Sequence, residues 1–183
     1  MVTLSEPNEA IDLTKEFSEG VFVATTATIS SDARIYGSVR GNTVTIGDCS
    51  TVYDFVVIKC VGGTGNIEIG SHCHINPHSV IYSGSGVRIG NYVLIGPSCV
   101  LAPANHAYAT RNEPIREQGF MPSKGGINIA DDVWIGANCT LLDGANIGKG
   151  AIVAAGSVVT GTLAAYGVYA GIPAKKIKER HVD

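Results

Sequence analysis

The stretch "IADDVWIGANCTLLDGANIGKGAIVAAGSVVTGTLA", residues 129–164, repeats a pattern of six residues without a gap. Each hexad begins with Ile, Val or Leu, and its fifth residue is nearly always small. A large aliphatic residue and a small residue recurring every six positions suit a short strand followed by a tight bend. Three such strands close a triangular coil, and coils stack at the strand spacing of about 4.8 Å. The stretch therefore predicts a stack of triangular β coils.

The same rhythm appears earlier, in runs of three hexads each that begin at Val23, Ile46, Ile69 and Ile89. In all eighteen hexads the first residue is Ile, Val or Leu. The pattern predicts an all-β chain of six coils, at 23–40, 46–63, 69–86, 89–106, 129–146 and 147–164. Residues 1–22, with "NEAIDLTKEF" helical, are expected to cap one open end. Residues 165–183 are expected to form a tail at the other end, with a short helix from Pro173.

Length and composition narrow the class of protein. A chain of 183 residues with no linker-like segment reads as one domain. A net charge of −3 gives no basic surface for nucleic acid, and the apolar runs are too short to span a membrane. The start carries acidic residues where a secretory signal is apolar. Together with five cysteines that suggest neither a disulfide framework nor a paired metal site, this predicts a cytoplasmic protein.

The hexad register also predicts which side chains point outward. Sixth positions of the second hexads form an apolar column, which reads Arg34, Val57, Val80, Val100, Thr140 and Val158. Those of the first hexads form another, which includes His74, Leu94, Trp134 and Ile152. Apolar columns of this length are expected to be buried by a partner. Because the coil is three-sided, we expect a cyclic homotrimer.

The sixth positions of the third hexads form a different column, which reads Arg40, Gly63, Gly86, His106, Asn146 and Ala164. Here His106 would lie between Gly86 and Asn146, open to a ligand. Directly after it the chain leaves the rhythm for residues 107–128, and long excursions from compact repeats are usually functional or disordered. The excursion carries Arg111, Arg116, Gln118 and Lys124, which could reach an anionic or hydroxylated ligand. The alternative is that His106 is a solvated corner histidine.

The hexads, with "NHAY", "PIREQG", "DDVWIGANCTLLDGANIGKGAIVAAGSVVT" and "AGIPAKKIKER", resemble the hexapeptide-repeat acyltransferases, specifically the acetyl-CoA-dependent O-acetyltransferases of sugars and surface polysaccharides. The resemblance covers residues 23–180. It implies a left-handed parallel β-helix, assembled as a homotrimer with active sites between subunits. It also implies a transferase that uses acetyl-CoA, needs no metal, and acts in pathways such as lipopolysaccharide biosynthesis.

The resemblance implies roles for individual residues. His106 matches the family's catalytic base. The expected contacts to acetyl-CoA are Trp134, Gly136, Ala137, Ala155, Thr160, Lys175 and Lys178. For the acceptor, the resemblance implies a contact from Asn76. Further acceptor contacts are expected from position in this sequence, namely His78 near Asn76, Asn105 beside His106, and Arg116 and Gln118 on the excursion.

An acetyl transfer from a thioester to a hydroxyl needs a group that removes the hydroxyl proton and returns a proton to the thiolate. A neutral imidazole can do both, and this contributes roughly 10²- to 10⁴-fold to the rate. The developing oxyanion needs a donor, and a backbone N–H near Gly136 or Ala137 of an adjacent subunit is the expected source. Direct transfer in a ternary complex is expected, since no Ser or Cys lies beside a base.

Several alternatives stay open. The lysines of the tail also fit a solvated surface. His72, His74 and His78 raise a zinc site of the carbonic anhydrase type, although their positions face apart within one chain. A non-catalytic scaffold would also explain the repeat. The acceptor is open too, and a streptogramin-type antibiotic or serine is the alternative to a sugar.

Overall fold

A computed structural model of the chain describes residues 17–181. Residues 1–16 of the predicted cap, which include most of its predicted helix, therefore lie outside the described residues. Phe17 already packs against the core, and the Gly37 N–H donates a hydrogen bond of 2.7 Å to Ser18 Oγ. Ser18 thus contacts the first coil, and a cap over residues 1–22 stays a prediction.

Short strands fill the first half of the chain, three to each coil. The first coil holds β1 (Val21–Val23), β2 (Thr28–Ile29) and β3 (Arg34–Tyr36). The second holds β4 (Val44–Ile46), β5 (Thr51–Val52) and β6 (Val57–Lys59). The third holds β7 (Ile67–Ile69), β8 (His74–Ile75) and β9 (Val80–Tyr82).

The second half repeats the arrangement. The fourth coil holds β10 (Val87–Ile89), β11 (Leu94–Ile95) and β12 (Val100–Ala102). The fifth holds β13 (Ile127–Ile129), β14 (Trp134–Ile135) and β15 (Thr140–Leu142), and the sixth holds β16 (Asn146–Ile147), β17 (Ile152–Val153) and β18 (Val158–Val159). A seventh, partial coil follows, with β19 (Thr162–Leu163) and β20 (Gly167–Ala170), and then β21 (Lys175–Glu179).

Every third strand pairs in parallel, which gives the molecule three sheets. Sheet A joins β1, β4, β7, β10, β13, β16 and β19; sheet B joins β2, β5, β8, β11, β14, β17 and β20; and sheet C joins the remaining parallel strands from β3 to β18. The all-β expectation is confirmed, and the three parallel sheets agree with the left-handed parallel β-helix that the resemblance implies. Within residues 17–181 the one helical segment is a 3₁₀ turn at Ile115–Glu117, and no helix could cross a bilayer.

The first position of each hexad builds the core. Ile46, Ile58, Ile75, Ile95 and Ile135 are each at most 1% exposed, and they stack in columns inside the prism. Each fully buried side chain of this size contributes roughly 1.5–3 kcal/mol. The hexad register therefore locates the core correctly.

The small inward residues also serve the backbone. Ser79 Oγ donates to the Gly96 carbonyl at 3.1 Å, and Cys99 Sγ donates to the Gly136 carbonyl at 3.1 Å. Cys73 makes the same kind of bond, and burial raises the pKa of its thiol. Cys73, Cys99 and Cys139 are buried free thiols, as predicted. The sequence did not reveal that they link consecutive coils by hydrogen bonds.

The predicted C-terminal helix from Pro173 is wrong. The tail instead folds back as β21, which pairs antiparallel with β20. The unpaired edge of the seventh coil explains this, because a strand satisfies its open backbone groups and a helix would not. Arg180 fixes the end of the tail by an ion pair of 2.9 Å with Asp132 and a bond of 3.0 Å to the Gly150 carbonyl.

The predicted columns of the first and second hexads are confirmed by pairing. Arg34, Val57, Val80, Val100, Thr140 and Val158 are successive partners on sheet C. His74, Leu94, Trp134 and Ile152 are successive partners on sheet B. On sheet B, Leu94 is 41% and Trp134 is 50% exposed. On sheet C, Val57 and Val80 are partly exposed, so both faces present apolar side chains.

The predicted third column is wrong. The column that the structure forms on sheet A reads Phe22, Thr45, Glu68, Arg88, Asn128, Asn146 and Thr162. Between most coils, extra residues separate the third strand of one coil from the first strand of the next. These residues break the six-residue register at this corner. Asn146 therefore pairs with Asn128 and Thr162, and His106 lies outside the sheet. This face is mostly polar, in contrast to sheets B and C.

Candidate functional site

An apolar groove of about 800 Å³ runs along sheet B. Its lining combines strand residues with the corner that follows them, and consists of Asn76, Leu94, Gly96, Pro97, Trp134, Gly136, Ala137, Ile152, Val153, Ala154, Ala155, Val168, Ile177 and Lys178. The groove thus spans the third to the seventh coil.

The floor of the groove is made of backbone because the sequence places glycine there. A Cβ added to Gly96 would lie 2.7 Å from the Ala137 nitrogen, and one added to Gly136 would lie 2.6 Å from the Ala155 nitrogen. Real Cβ atoms do not approach backbone so closely, so these positions require glycine. The second-position glycine of the hexad therefore lets successive coils stack tightly and leaves their backbone open to a ligand.

The corner residues at the third position of the second hexads differ in what they offer a ligand. Successive coils present Pro77, Pro97, Ala137 and Ala155 at this place, and proline has no N–H. The Gly136 N–H donates to the Val153 carbonyl at 2.8 Å and is used within the sheet. Within residues 17–181, the N–H groups of Ala137 and Ala155 have no hydrogen-bond acceptor. Of the two predicted oxyanion donors, only Ala137 is therefore available.

Strand β21 closes the upper end of the groove. Ile177 and Lys178 line it, and Lys178 lies opposite Val168 of β20. Lys176 pairs with Glu179, and the bond to this ammonium lowers the pKa of the Glu179 carboxyl. Lys175 is exposed at the start of the strand and does not line the groove. Lys178 thus supplies a cation at the groove itself.

Asn76 lies at the lower end of the groove. Its Nδ2 donates to the Ile95 carbonyl at 2.8 Å, which fixes the plane of the amide. Its Oδ1 accepts no hydrogen bond from residues 17–181. The side chain can therefore accept a bond from a hydroxyl or amide at this end.

His106 lies on an excursion rather than in the groove. The Ala107 N–H donates to the Gly119 carbonyl at 3.0 Å, and the Met121 N–H donates to the Asn105 carbonyl at 2.8 Å. These bonds make His106 and Phe120 opposite partners in a short antiparallel ribbon. The two rings stack with centroids 4.6 Å apart. His106 is exposed, so its imidazole can meet another molecule.

The remaining excursion residues have mixed positions. Gln118 Nε2 donates to the carbonyls of Thr110 at 2.9 Å and Glu113 at 2.8 Å, so its amide holds the tip of the excursion together. Arg116, in the 3₁₀ turn, is exposed beside Glu117. Gln118 thus shapes the loop, and Arg116 is the freer side chain.

Asp143 anchors the return of the excursion, and sequence reasoning missed it. Its carboxylate accepts bonds from the Lys124 N–H at 2.7 Å, the Gly126 N–H at 2.9 Å and Ser123 Oγ at 3.3 Å. The residue is only 4% exposed. An acidic residue after the hydrophobic "TLL" strand was the one available signal.

Replacing Asp143 with alanine should destabilise the excursion. Each buried N–H left without an acceptor costs about 1–3 kcal/mol. We expect faster cleavage of residues 107–126 in limited proteolysis and a lower melting temperature. Asp131→Ala is the control for losing a carboxylate on the same coil. The side chain of Asp131 is more exposed and accepts a hydrogen bond of 2.7 Å from the Asn91 N–H. Equal protection of residues 107–126 in Asp143→Ala and wild type would contradict this role.

The three histidines of the third coil lie apart. His72 stacks on Tyr92 at one corner, and His78 stacks on Phe55 at another. His74 lies on sheet B and stacks on Tyr53. Residues 17–181 contain no group of three or more His, Cys, Asp or Glu side chains that could hold a metal ion.

The structure brings part of the predicted site together. Asn76, Trp134, Gly136, Ala137, Ala155 and Lys178 share the groove. The excursion carries Arg116 and Gln118, and its base carries Asn105 and His106. Thr160, Lys175 and His78 lie outside the groove lining. Within one chain the histidine is thus not part of the groove.

The chain matches known transferases in sequence. Residues 126–161 match the family model described as bacterial transferase hexapeptide (six repeats). Galactoside O-acetyltransferase of Escherichia coli is 34% identical over 114 residues, 62% of this chain and 54% of the relative. WbbJ of Escherichia coli, named for O-acetyl transfer in lipopolysaccharide biosynthesis, is 33% identical over 122 residues, 64% of this chain and 62% of the relative. The chain thus spans 54% and 62% of the length of these two relatives.

A solved structure shares the fold. AntD, an N-acyltransferase from Bacillus cereus in complex with dTDP and 3-hydroxybutyryl-CoA, superposes with a TM-score of 0.73 at 25% identity. The match covers 88% of this chain and 85% of AntD. The architecture described above is therefore that of known acyltransferases.

Proposed function

We propose that this chain, a hexapeptide-repeat protein related to bacterial transferases, moves an acetyl group from acetyl-CoA to a hydroxyl of a sugar or surface-polysaccharide precursor. The observation that carries the proposal is the groove on sheet B. It combines an apolar lining, a lysine at one end and two backbone N–H groups that find no acceptor among residues 17–181. A groove with these features suits a thin ligand that carries amide groups and ends in phosphates.

The dimensions of the groove support acetyl-CoA as the donor. From Asn76 on the third coil to Val168 on the seventh, four coil spacings give about 19 Å, comparable with an extended pantetheine arm. The arm would lie against Trp134, Gly136, Ala137 and Ala155, with Lys178 near the phosphates. Thr160 and Lys175 stay proposed contacts of acetyl-CoA, at positions outside the groove of their own chain.

A homotrimer would complete the site. His106 is not among the groove residues of its own chain, and sheets B and C both carry apolar columns. Burying these columns between subunits would remove them from water and bring the excursion of one subunit to the groove of the next. Sheet A, with Glu68 and Arg88 paired at 2.9 Å, would face solvent.

His106 would act first as a base and then as an acid. Its imidazole takes the proton of the acceptor hydroxyl as that oxygen bonds to the thioester carbon. The Ala137 N–H stabilises the oxyanion. When the carbon–sulfur bond breaks, the imidazolium returns its proton to the thiolate, so the products are an acetyl ester and CoA.

The acceptor would bind between the lower groove and the excursion. Asn76 offers Oδ1 to a hydroxyl, and Asn105, Arg116 and Gln118 lie on or beside the excursion. His78, stacked on Phe55, is a proposed contact at the neighbouring corner. A cytoplasmic location, where acetyl-CoA is made and thiols stay reduced, fits the five free cysteines.

Thiol release from acetyl-CoA, measured across a panel of sugars, nucleotide sugars and amino sugars, tests the proposal. We expect release with at least one hydroxylated saccharide, and a product that loses its acetyl group in hydroxylamine as an ester does. Calorimetry with acetyl-CoA that shows no binding would favour a scaffold instead. An amide product with amino sugars alone would overturn transfer to oxygen. Zinc in the purified protein, with hydration of CO₂, would favour the anhydrase alternative.

A further inference from the structure

We infer that Phe120 is a positioning residue that holds the imidazole of His106 in the orientation needed for proton transfer. The inference rests on the proposed function, because it takes His106 as the base.

The backbone of the ribbon places the two rings together. His106 and Phe120 form a pair with no backbone hydrogen bond between them. On either side of the pair, the Ala107 N–H donates to the Gly119 carbonyl and the Met121 N–H donates to the Asn105 carbonyl. In such a pair the two Cα atoms are closest and both side chains lie on the same side. A slip of one residue would turn Phe120 to the other side of the ribbon. The register of the ribbon thus determines the stack.

The stack is the contact that orients the ring. The rings of His106 and Phe120 lie 4.6 Å apart at 29°. Within residues 17–181, neither imidazole nitrogen has a hydrogen-bond partner. Histidines that act as bases are usually oriented by a hydrogen bond to one nitrogen. Here Phe120 restricts rotation of the ring and leaves both nitrogens free for reacting groups.

A role in stability alone explains the stack poorly. Phe120 is 53% exposed and His106 is also exposed, so the pair buries little apolar surface. The excursion is already held by Gln118 at its tip and by Asp143 at its return. The main effect of removing the Phe120 ring should therefore fall on the orientation of His106.

Phe120→Ala should lower kcat by about 10- to 100-fold, because small errors in the placement of a catalytic group cost up to that much. The KM for acetyl-CoA should change by less than about twofold, since the variant leaves uniform binding in the groove intact. Phe120→Tyr keeps the ring and should restore kcat to within about threefold of wild type. Tyr108→Ala removes another exposed aromatic ring from the same excursion and should leave kcat unchanged.

Proton NMR of the His106 ring tests the stack without turnover. The Cε1 proton should carry a ring-current shift in wild type and Phe120→Tyr, and lose it in Phe120→Ala. A lost shift with unchanged kcat would overturn the inference, and so would an equal loss of kcat in Phe120→Tyr and Phe120→Ala. If wild type shows the shift but transfers no acetyl group to any acceptor, the proposed function fails and the inference falls with it, although the stack itself stands.

Discussion

His106→Ala should lower kcat for acetyl transfer by about two or more decades, because a positioned acid–base group contributes roughly 10²- to 10⁴-fold. The imidazole is exposed and lies outside the core, so its loss should not disturb folding. Far-ultraviolet circular dichroism, the melting temperature and the oligomeric state should match wild type. The measurement is thiol release from acetyl-CoA with the best acceptor of the panel.

The structure offers a matched control for this variant. His72 is also exposed and also stacks on an aromatic ring, that of Tyr92 at 4.7 Å, but it lies at a corner away from the excursion and outside the groove lining. His72→Ala should keep turnover within about twofold of wild type, since it removes no proposed contact to the reacting groups. Turnover in His106→Ala that equals that of His72→Ala would show that His106 is not the base.

Ala137→Pro should lower kcat by about 10²- to 10³-fold, because it deletes the N–H that we propose for the oxyanion. The chain itself indicates that proline fits there, since Pro97 occupies the same corner one coil below and Pro77 two coils below. The Ala137 N–H donates to no group of residues 17–181, so the sheet loses no hydrogen bond.

Ala137→Gly is the control for the proline variant. It keeps the N–H and removes only a methyl group, so its kcat should stay within about threefold of wild type. If Ala137→Pro folds normally and turns over as fast as Ala137→Gly, the oxyanion donor lies elsewhere. A raised KM with unchanged kcat would assign the N–H to binding of the pantetheine arm instead.

The repeat made most of the fold predictable from residues alone. A buried Ile such as Ile95 every six positions requires the chain to turn at a fixed interval, and this fixed the pairing of β8, β11, β14 and β17 in advance. The six-residue register predicted neighbours wrongly where the interval between buried aliphatic residues was not six. At the corner between sheets C and A, inserted residues removed the register, and the predicted neighbours of His106 were wrong.

The tail shows a second limit of sequence reasoning. Lysines and a proline near Pro173 are compatible with a helix when read alone, yet the exposed edge of β20 binds the segment as a strand. Only the finished coil creates that edge. Local propensity is a weak guide where a neighbouring strand offers unpaired backbone groups.

By itself, the sequence determined the coil, its core and the apolar outward columns, because a six-residue period turns the first residue of every hexad toward the inside of the coil. The tertiary structure alone decided which backbone N–H groups stay free, that Asp143 anchors the excursion, and that Phe120 lies against His106. These features depend on atoms brought together from different coils or from the two arms of a ribbon. Hydrogen bonds and ring contacts have reaches of only a few ångströms, so no spacing along the chain reveals them.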